Sequence, residues 1–91
     1  MELKNTPGRI FAEDANGDLL CEITFPSKGR VAEIDHTFVS DALRGQGVAG
    51  QLMALAVQQI KDNGMKAAAT CSYAVKWFEN HPEEKELLEI E

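Results

Sequence analysis

Apolar residues along this chain change their period from segment to segment, and the changes mark out its elements. From Arg9 to Asp14 (RIFAED) and from Leu19 to Phe25 (LLCEITF) they recur at every second position, which reads as two short strands. Asn16-Gly17 between them favours a tight hairpin turn, because both residue types tolerate the backbone such turns require. A second turn signal, Pro26 to Arg30, leads into VAEIDHTFV. There Ala32, Ile34, His36 and Phe38 alternate with Val31, Glu33, Asp35, Thr37 and Val39, predicting a third antiparallel strand, the longest, with Asp35 and Glu33 on the face opposite His36. After Gly47 the period becomes helical. Val48, Leu52, Ala56 and Ile60, flanked by Ala49, Met53, Leu55 and Val57, form a wide apolar stripe that Asn63-Gly64 ends. Met65 to Cys71 reads as a fourth strand, and Ser72 to His81 as a second helix, opened by Ser72 as N-cap and stopped before Pro82. The tail beyond Pro82 adds one helical turn or frays. The expected fold is α+β, in the order β-β-β-α-β-α, as one domain over residues 1–91. A right-handed crossover places strand four parallel to strand three in one sheet.

Length and charge narrow the function classes. A chain of 91 residues buries only about 60% of the surface its unfolded form exposes, and it is too short for a complete doubly wound nucleotide fold. The formal charge of −6 argues against a nucleic-acid partner, since binding to phosphate backbones needs clustered Lys and Arg. It mildly favours a cationic partner. No apolar stretch has signal-peptide character, and none approaches the ~18 consecutive apolar residues of a membrane span, so a cytoplasmic protein with no membrane partner is expected. Cys21 and Cys71 lie far apart with no C-x-x-C spacing and no paired His. They are expected as free thiols, with no metal site.

The densest chemistry lies between strand three and the first helix, where LRGQGVAG (43–50) carries glycines in G-x-G-x-x-G spacing. A dinucleotide site would need an acidic residue about 20 positions further on to hold the ribose, but that stretch is KAAAT. Half the chain also precedes the loop as antiparallel strands. A Walker loop is excluded, because no Gly-Lys-Ser or Gly-Lys-Thr occurs. The loop still has the chemistry of an anion cradle. N–H groups in a helix's first turn lack intrahelical partners and sit at the positive end of the dipole, so Gly45, Gln46, Gly47, Val48 and Ala49 offer donors to a pyrophosphate. Arg44 adds charge-assisted hydrogen bonds. The alternative is that the glycines only permit a tight turn and Arg44 is solvated.

Arg44-Gly45-Gln46-Gly47-Val48-Ala49 resembles the acyl-CoA-binding motif of the GNAT-type N-acetyltransferase superfamily, Arg/Gln-x-x-Gly-x-Gly/Ala, found between a strand and a helix. DHTFV before the loop and CSYAVKWFENHPE after it are similar to a compact subfamily, and the resemblance covers about residues 9 to 85. It implies a GNAT-like fold with a truncated C-terminus, acetyl-CoA or coenzyme A as cofactor, and acyl transfer to an unidentified amine acceptor. By that resemblance Arg44, Gly45, Gln46, Gly47, Val48, Ala49 and Gly50 hold the pyrophosphate. Phe38, Val39 and Ser40 bond the pantetheine arm where strand three splays from its parallel neighbour, and Cys71, Ser72 and Tyr73 stand at the reacting centre.

The chain also departs from the superfamily. Where many members carry Asn-x-x-Ala-x-x-x-Tyr, this one reads Cys71-x-x-Ala74-x-x-x-Phe78, with no hydroxyl at the position that protonates the departing thiolate. Tyr73 is a substitute acid or simply rim packing. Cys71, beside a helix N-terminus, either accepts the acyl group as a thiolate or lines the pantetheine channel. His36, with an unperturbed pKa near ~6.5, suits a general base or is a structural histidine, and Asp35 and Glu33 are carboxylate alternatives. His81 reads as a helix cap, and Trp77 and Phe78 as core. The candidate catalytic set is Cys71, His36 and Tyr73. With few residues left to shape an acceptor pocket, that pocket is shallow or completed by a second subunit, so the protein is a monomer or homodimer. Two rival readings stay open: a CoA-binding module with little amine transfer, and a structural adaptor with a vestigial loop.

Overall fold

Asp14 closes the first hairpin: one of its carboxylate oxygens accepts the N–H groups of Asn16 (2.8 Å) and Asp18 (3.0 Å), and Gly17 supplies the left-handed residue (φ 84°) of the turn. The computed structural model describes residues 1–89; Ile90 and Glu91, the end of the tail, lie outside the described residues. The hairpin strands are β2 (Arg9–Glu13) and β3 (Leu19–Thr24), preceded by a short β1 (Lys4–Thr6) that pairs with β2. All three residues of β1 are exposed, so it has no buried alternation by which sequence could reveal it. The same holds for β4 (Ser27–Lys28).

The expected third strand is two strands. β5 (Val31–Ile34) lies in a sheet of order β4-β5-β7, whereas β6 (His36–Val39) lies in another, of order β1-β2-β3-β6. Asp35 separates them. It sits outside both ladders and gives its N–H to the Thr24 carbonyl (3.3 Å), while its carboxylate accepts the Thr24 hydroxyl. One extra residue shifts the side-chain phase. Ala32 and Ile34 are buried on β5, but on β6 His36 and Phe38 are exposed while Thr37 and Val39 turn inward opposite Ile23 and Cys21. The expectation that Ala32, Ile34, His36 and Phe38 share a face therefore fails at Asp35. The parallel pairing of the fourth strand, β7 (Lys66–Ala69), does occur, but with β5 alone, from Val31↔Lys66 to Ile34↔Ala69.

Helix α1 (Val48–Asp62) buries Val48, Leu52, Met53, Ala56, Val57 and Ile60 in one core with Ile10, Cys21, Ile23 and Ile34. Its C-terminus closes with the Met65 N–H on the Ile60 carbonyl and the Gly64 N–H on the Lys61 carbonyl, a pattern that Gly64 permits at φ 66°. Helix α2 (Ser72–Asn80) buries Ala74 and Phe78. Its N-cap is Cys71, not Ser72: Cys71 is extended and its Sγ accepts the Ala74 N–H at 3.3 Å, whereas Ser72 is already helical and exposed. His81 caps the other end, with Nδ1 donating to the Trp77 carbonyl at 2.7 Å and its ring stacked on Trp77. The tail continues as a 3₁₀ helix (Pro82–Leu87), and Leu88 and Glu89 then reach the outer edge of β7 at Ala67. Among the described residues no helix is long and apolar enough to cross a membrane.

Candidate active site

The divergence at Asp35 shapes the candidate site. β6 is bonded to β3 on one side, and β7 pairs with β5 and not with β6, so among the described residues one edge of β6 is without a strand partner. Ser40 gives its N–H to the Leu20 carbonyl at 2.8 Å. The alternation of an antiparallel ladder then directs Phe38 to β3 as well, and turns the N–H and C=O of Thr37 and Val39 to the free edge. Of the three strand residues expected along a pantetheine arm, Val39 alone faces that edge with its backbone. Phe38 presents a half-exposed ring on the outer face instead. The Ser40 hydroxyl accepts the Ala42 N–H (3.3 Å) and caps the 3₁₀ turn Asp41–Leu43 that leads into the loop.

Gly45 (φ 80°) and Gly47 (φ 71°) both adopt left-handed backbone, which L side chains rarely enter, and a Cβ on either would meet no atom within 4 Å. The glycines are thus required by conformation, and the space above them is open. Gly47 is the N-cap of α1 and contributes no side-chain acceptor. The first intrahelical bond runs from the Gln51 N–H to the Gly47 carbonyl, so the N–H groups of Val48, Ala49 and Gly50 precede the helical ladder. Arg44 is exposed and its Nε meets Asp41 Oδ1 at 2.8 Å. An exposed pair of this kind contributes little and leaves the guanidinium able to turn to an anion. Donors, open space and an exposed cation fit a pyrophosphate.

Cys71 stands where β7 ends. The N–H groups of Thr70 and Cys71 both donate to the Ile34 carbonyl, at 3.1 and 3.2 Å, tying the end of β7 to the last residue of β5 before the divergence. The half-buried Cys71 Sγ lies 3.4 Å from Thr37 Oγ1, which links β6 to the start of α2. Thr37 belongs to DHTFV, yet sequence reasoning gave it no role. Its one legible signal was a hydroxyl two positions before Val39, and only the phase shift at Asp35 turns that hydroxyl inward. The Tyr73 hydroxyl is brought to the first turn of α1, where a Cβ on Gly50 would lie 3.9 Å from it. Burial pushes its pKa up, so the phenol remains a protonated hydrogen-bond donor and a poor acid. Burial likewise raises the Cys21 thiol, which is inaccessible in the core.

His36 is not brought to Cys71. His36 and Thr37 are consecutive in an extended strand and face opposite ways, so the imidazole lies on the outer face of the sheet while the thiol meets Thr37 on the inner one. There His36 Nε2 is 3.3 Å from Glu22 Oε1, and the second oxygen of Glu22 pairs with Arg9 Nε. The carboxylate alternatives are engaged elsewhere: Asp35 accepts from Thr24, and Glu33 from the Thr70 hydroxyl at 2.9 Å. Phe78, at the position of the superfamily's tyrosine, is a core residue packed edge-on against Trp77.

Known proteins share this fold. A family model described as GCN5-related N-acetyl-transferase matches residues 9–87. Among solved structures, a chain assigned as GCN5-like from Staphylococcus aureus is 33% identical, with a TM-score of 0.79 over 99% of this chain and 90% of that one. Nourseothricin acetyltransferase, 22% identical with a TM-score of 0.59 over 79% of this chain and 46% of its own, shares the fold. The protein NATD1 of Gallus gallus is 36% identical over 53 residues, which are 58% of this chain and 48% of NATD1, so the matched stretch is about half the length of that curated relative. The family match extends from β2 through the 3₁₀ tail and includes the loop, the divergent strands and Cys71, and the chain belongs to the GCN5-related N-acetyltransferase family.

Proposed function

We propose that this protein binds acetyl-CoA or a related acyl-CoA and transfers the acyl group to an amine. The observation that carries the reading is the unpaired edge of β6 lying between the open glycine loop and Cys71. Arg44 and the N–H groups of Gly45 to Gly50 would take the pyrophosphate, and the Thr37 and Val39 backbone would bond the pantetheine amides as a strand would. The acyl thioester supplies the activated carbonyl. Cys71 would meet that carbonyl, either by forming its own thioester or as wall. Tyr73 donates a hydrogen bond near the loop, and His36 serves as the base for the acceptor amine from the outer face. The acceptor is an unidentified amine, and the net charge of −6 favours a cationic one. The protein acts in the cytoplasm, as a monomer or homodimer.

Calorimetry with acetyl-CoA, coenzyme A and NAD side by side tests the first half. Acetyl-CoA and coenzyme A are expected to bind and NAD is not; equal affinity for all three defeats the reading. Release of free coenzyme A dependent on added amine tests the second half. A buried Phe78 where the superfamily has its tyrosine favours one alternative, a CoA-binding module with little transfer, for which coenzyme A binds but no amine accelerates its release.

A further inference from the structure

The outer face of the β1-β2-β3-β6 sheet carries a chain of contacts that the family motif does not include. Arg9 lies across the Phe11 ring, its guanidinium carbon 3.6 Å from the centroid, and both residues stand on β2. On β3, Glu22 divides its two oxygens between Arg9 Nε and His36 Nε2. Its side chain is mostly covered, at 15% exposure, whereas that of His36 is 52% exposed. Register explains the convergence. Glu22 stands opposite Phe11 on one side and Phe38 on the other, so Arg9 and His36 are its diagonal neighbours. Thr24, directly opposite His36, has its hydroxyl committed to Asp35 and does not compete.

A neutral imidazole has one donor nitrogen and one acceptor nitrogen, and its partner decides which is which. A carboxylate only accepts. We infer that Glu22 is a positioning residue that fixes the proton of His36 on Nε2, leaving Nδ1 as the basic atom toward solvent, and that the stacked Arg9 holds Glu22 in place. This rests on the reading of His36 as the acceptor's base. As the amine nitrogen bonds to the acyl carbon and the carbon–sulfur bond breaks, the proton leaving nitrogen passes to solvent at the free edge of β6 and through it to Nδ1 on the outer face, since the imidazole does not reach the Cys71 side, and the released thiolate is protonated from solvent. Glu22 from β3 faces the imidazole, Arg9 from β2 pairs with Glu22, Asp35 precedes His36 in the chain, and Lys4 of β1 stands further off, over the Phe11 ring.

The molecule carries its own reference. The chain has two histidines, and His81 must hold its proton on Nδ1, because its partner there is the Trp77 carbonyl. Nitrogen-15 correlation spectra of the ring nitrogens, at a pH where both imidazoles are neutral, are expected to show opposite tautomers, Nε2–H for His36 and Nδ1–H for His81. In Glu22→Ala, His36 is expected to become a tautomer mixture while His81 is unchanged. Glu22→Gln, which still offers a carbonyl oxygen, retains the Nε2–H form. With the acceptor in hand, Glu22→Ala lowers kcat by about 10-fold or more with the KM for acetyl-CoA unchanged, and Glu22→Gln recovers most of the loss. A wild-type His36 that is already a mixture or Nδ1–H overturns the proposal, as does a Glu22→Ala variant with unaltered tautomer or undiminished kcat. The ring-nitrogen measurement needs neither cofactor nor acceptor. A protein that binds acetyl-CoA and transfers to no amine therefore defeats the transferase reading while the tautomer is decided separately.

Discussion

Cys71 performs two jobs with one sulfur, and experiments on it have to separate them. As N-cap it accepts the Ala74 N–H, and as a candidate nucleophile it faces Thr37 at the end of the free edge. Cys71→Ala removes both roles and costs helix α2 a cap, about 1 kcal/mol. Cys71→Ser keeps an oxygen cap, of a kind helices prefer, and removes the thiol. If the thiol carries the acyl group, Cys71→Ser has wild-type stability in urea yet loses amine transfer; full activity in that variant reduces Cys71 to cofactor wall. Mass spectrometry after acetyl-CoA addresses the same question by a gain of one acetyl group on the Cys71 peptide. Cys21 is the internal control, since it is inaccessible and its thiol is raised by burial, so alkylation of Cys71 should be much the faster and should slow when coenzyme A is bound. Gly47 separates strain from obstruction. At φ 71° any L residue is disfavoured, but Asn tolerates this region better than Ala. Gly47→Asn is expected to fold with a loss of about 1 kcal/mol or less, while Gly47→Glu adds a negative charge in the place proposed for the pyrophosphate and should abolish coenzyme A binding measured by calorimetry.

At the scale of elements, Asp35 decides the architecture. Deleting it makes Ala32, Ile34, Thr37 and Val39 fall on one face of an unbroken strand, with His36 and Phe38 on the other. The deletion variant is therefore expected to keep its core and its circular dichroism while β6 no longer parts from β7, and its affinity for acetyl-CoA should fall at least 10-fold. Unchanged affinity would show that the divergence is not what makes the site. This element also marks the limit of what sequence reveals. The hairpin, α1, β7 and α2 were legible because their apolar periods are long and their punctuation strong: Asn16-Gly17, Gly47, Asn63-Gly64 and Pro82. The loop was legible from Arg44, Gly45 and Gly47. The break at Asp35 was not, since alternation of apolar residues runs across it in composition, and only the partner strands reveal that the phase has moved. Thr37 and Glu22 were hidden for a related reason: their partners, Cys71 and the Arg9–His36 pair, are set by register between strands distant in the chain.

For the molecule as a whole, the two sheets share one core and differ in how their edges are finished. The outer edge of β7 is closed by the tail, through Leu88 beside Ala67, the Glu89 N–H on the Ala67 carbonyl and the Lys66 ammonium on the Glu86 carbonyl. The Lys61–Glu84 ion pair, 2.7 Å long, holds that tail against α1. At the other margin, β1 is a short polar strand, fastened to α1 by Gln59, which accepts the Gly8 N–H and donates to the Thr6 carbonyl. These two margins thus resist pairing with another chain, one by being covered and one by being short and polar. Among the described residues β4, two exposed residues long, is a further margin, and the edge of β6 inside the molecule is the one proposed for the ligand.

That interior edge should be visible on the timescale of amide hydrogen exchange. Phe38 and Ser40 have their N–H groups bound to β3, while the N–H groups of Thr37 and Val39 point into the divergence. In the free protein, exchange along this one strand should therefore be slow and fast at alternate residues. A ligand that supplies the missing ladder should slow Thr37 and Val39 selectively, leaving a protection footprint with the period of a β-strand.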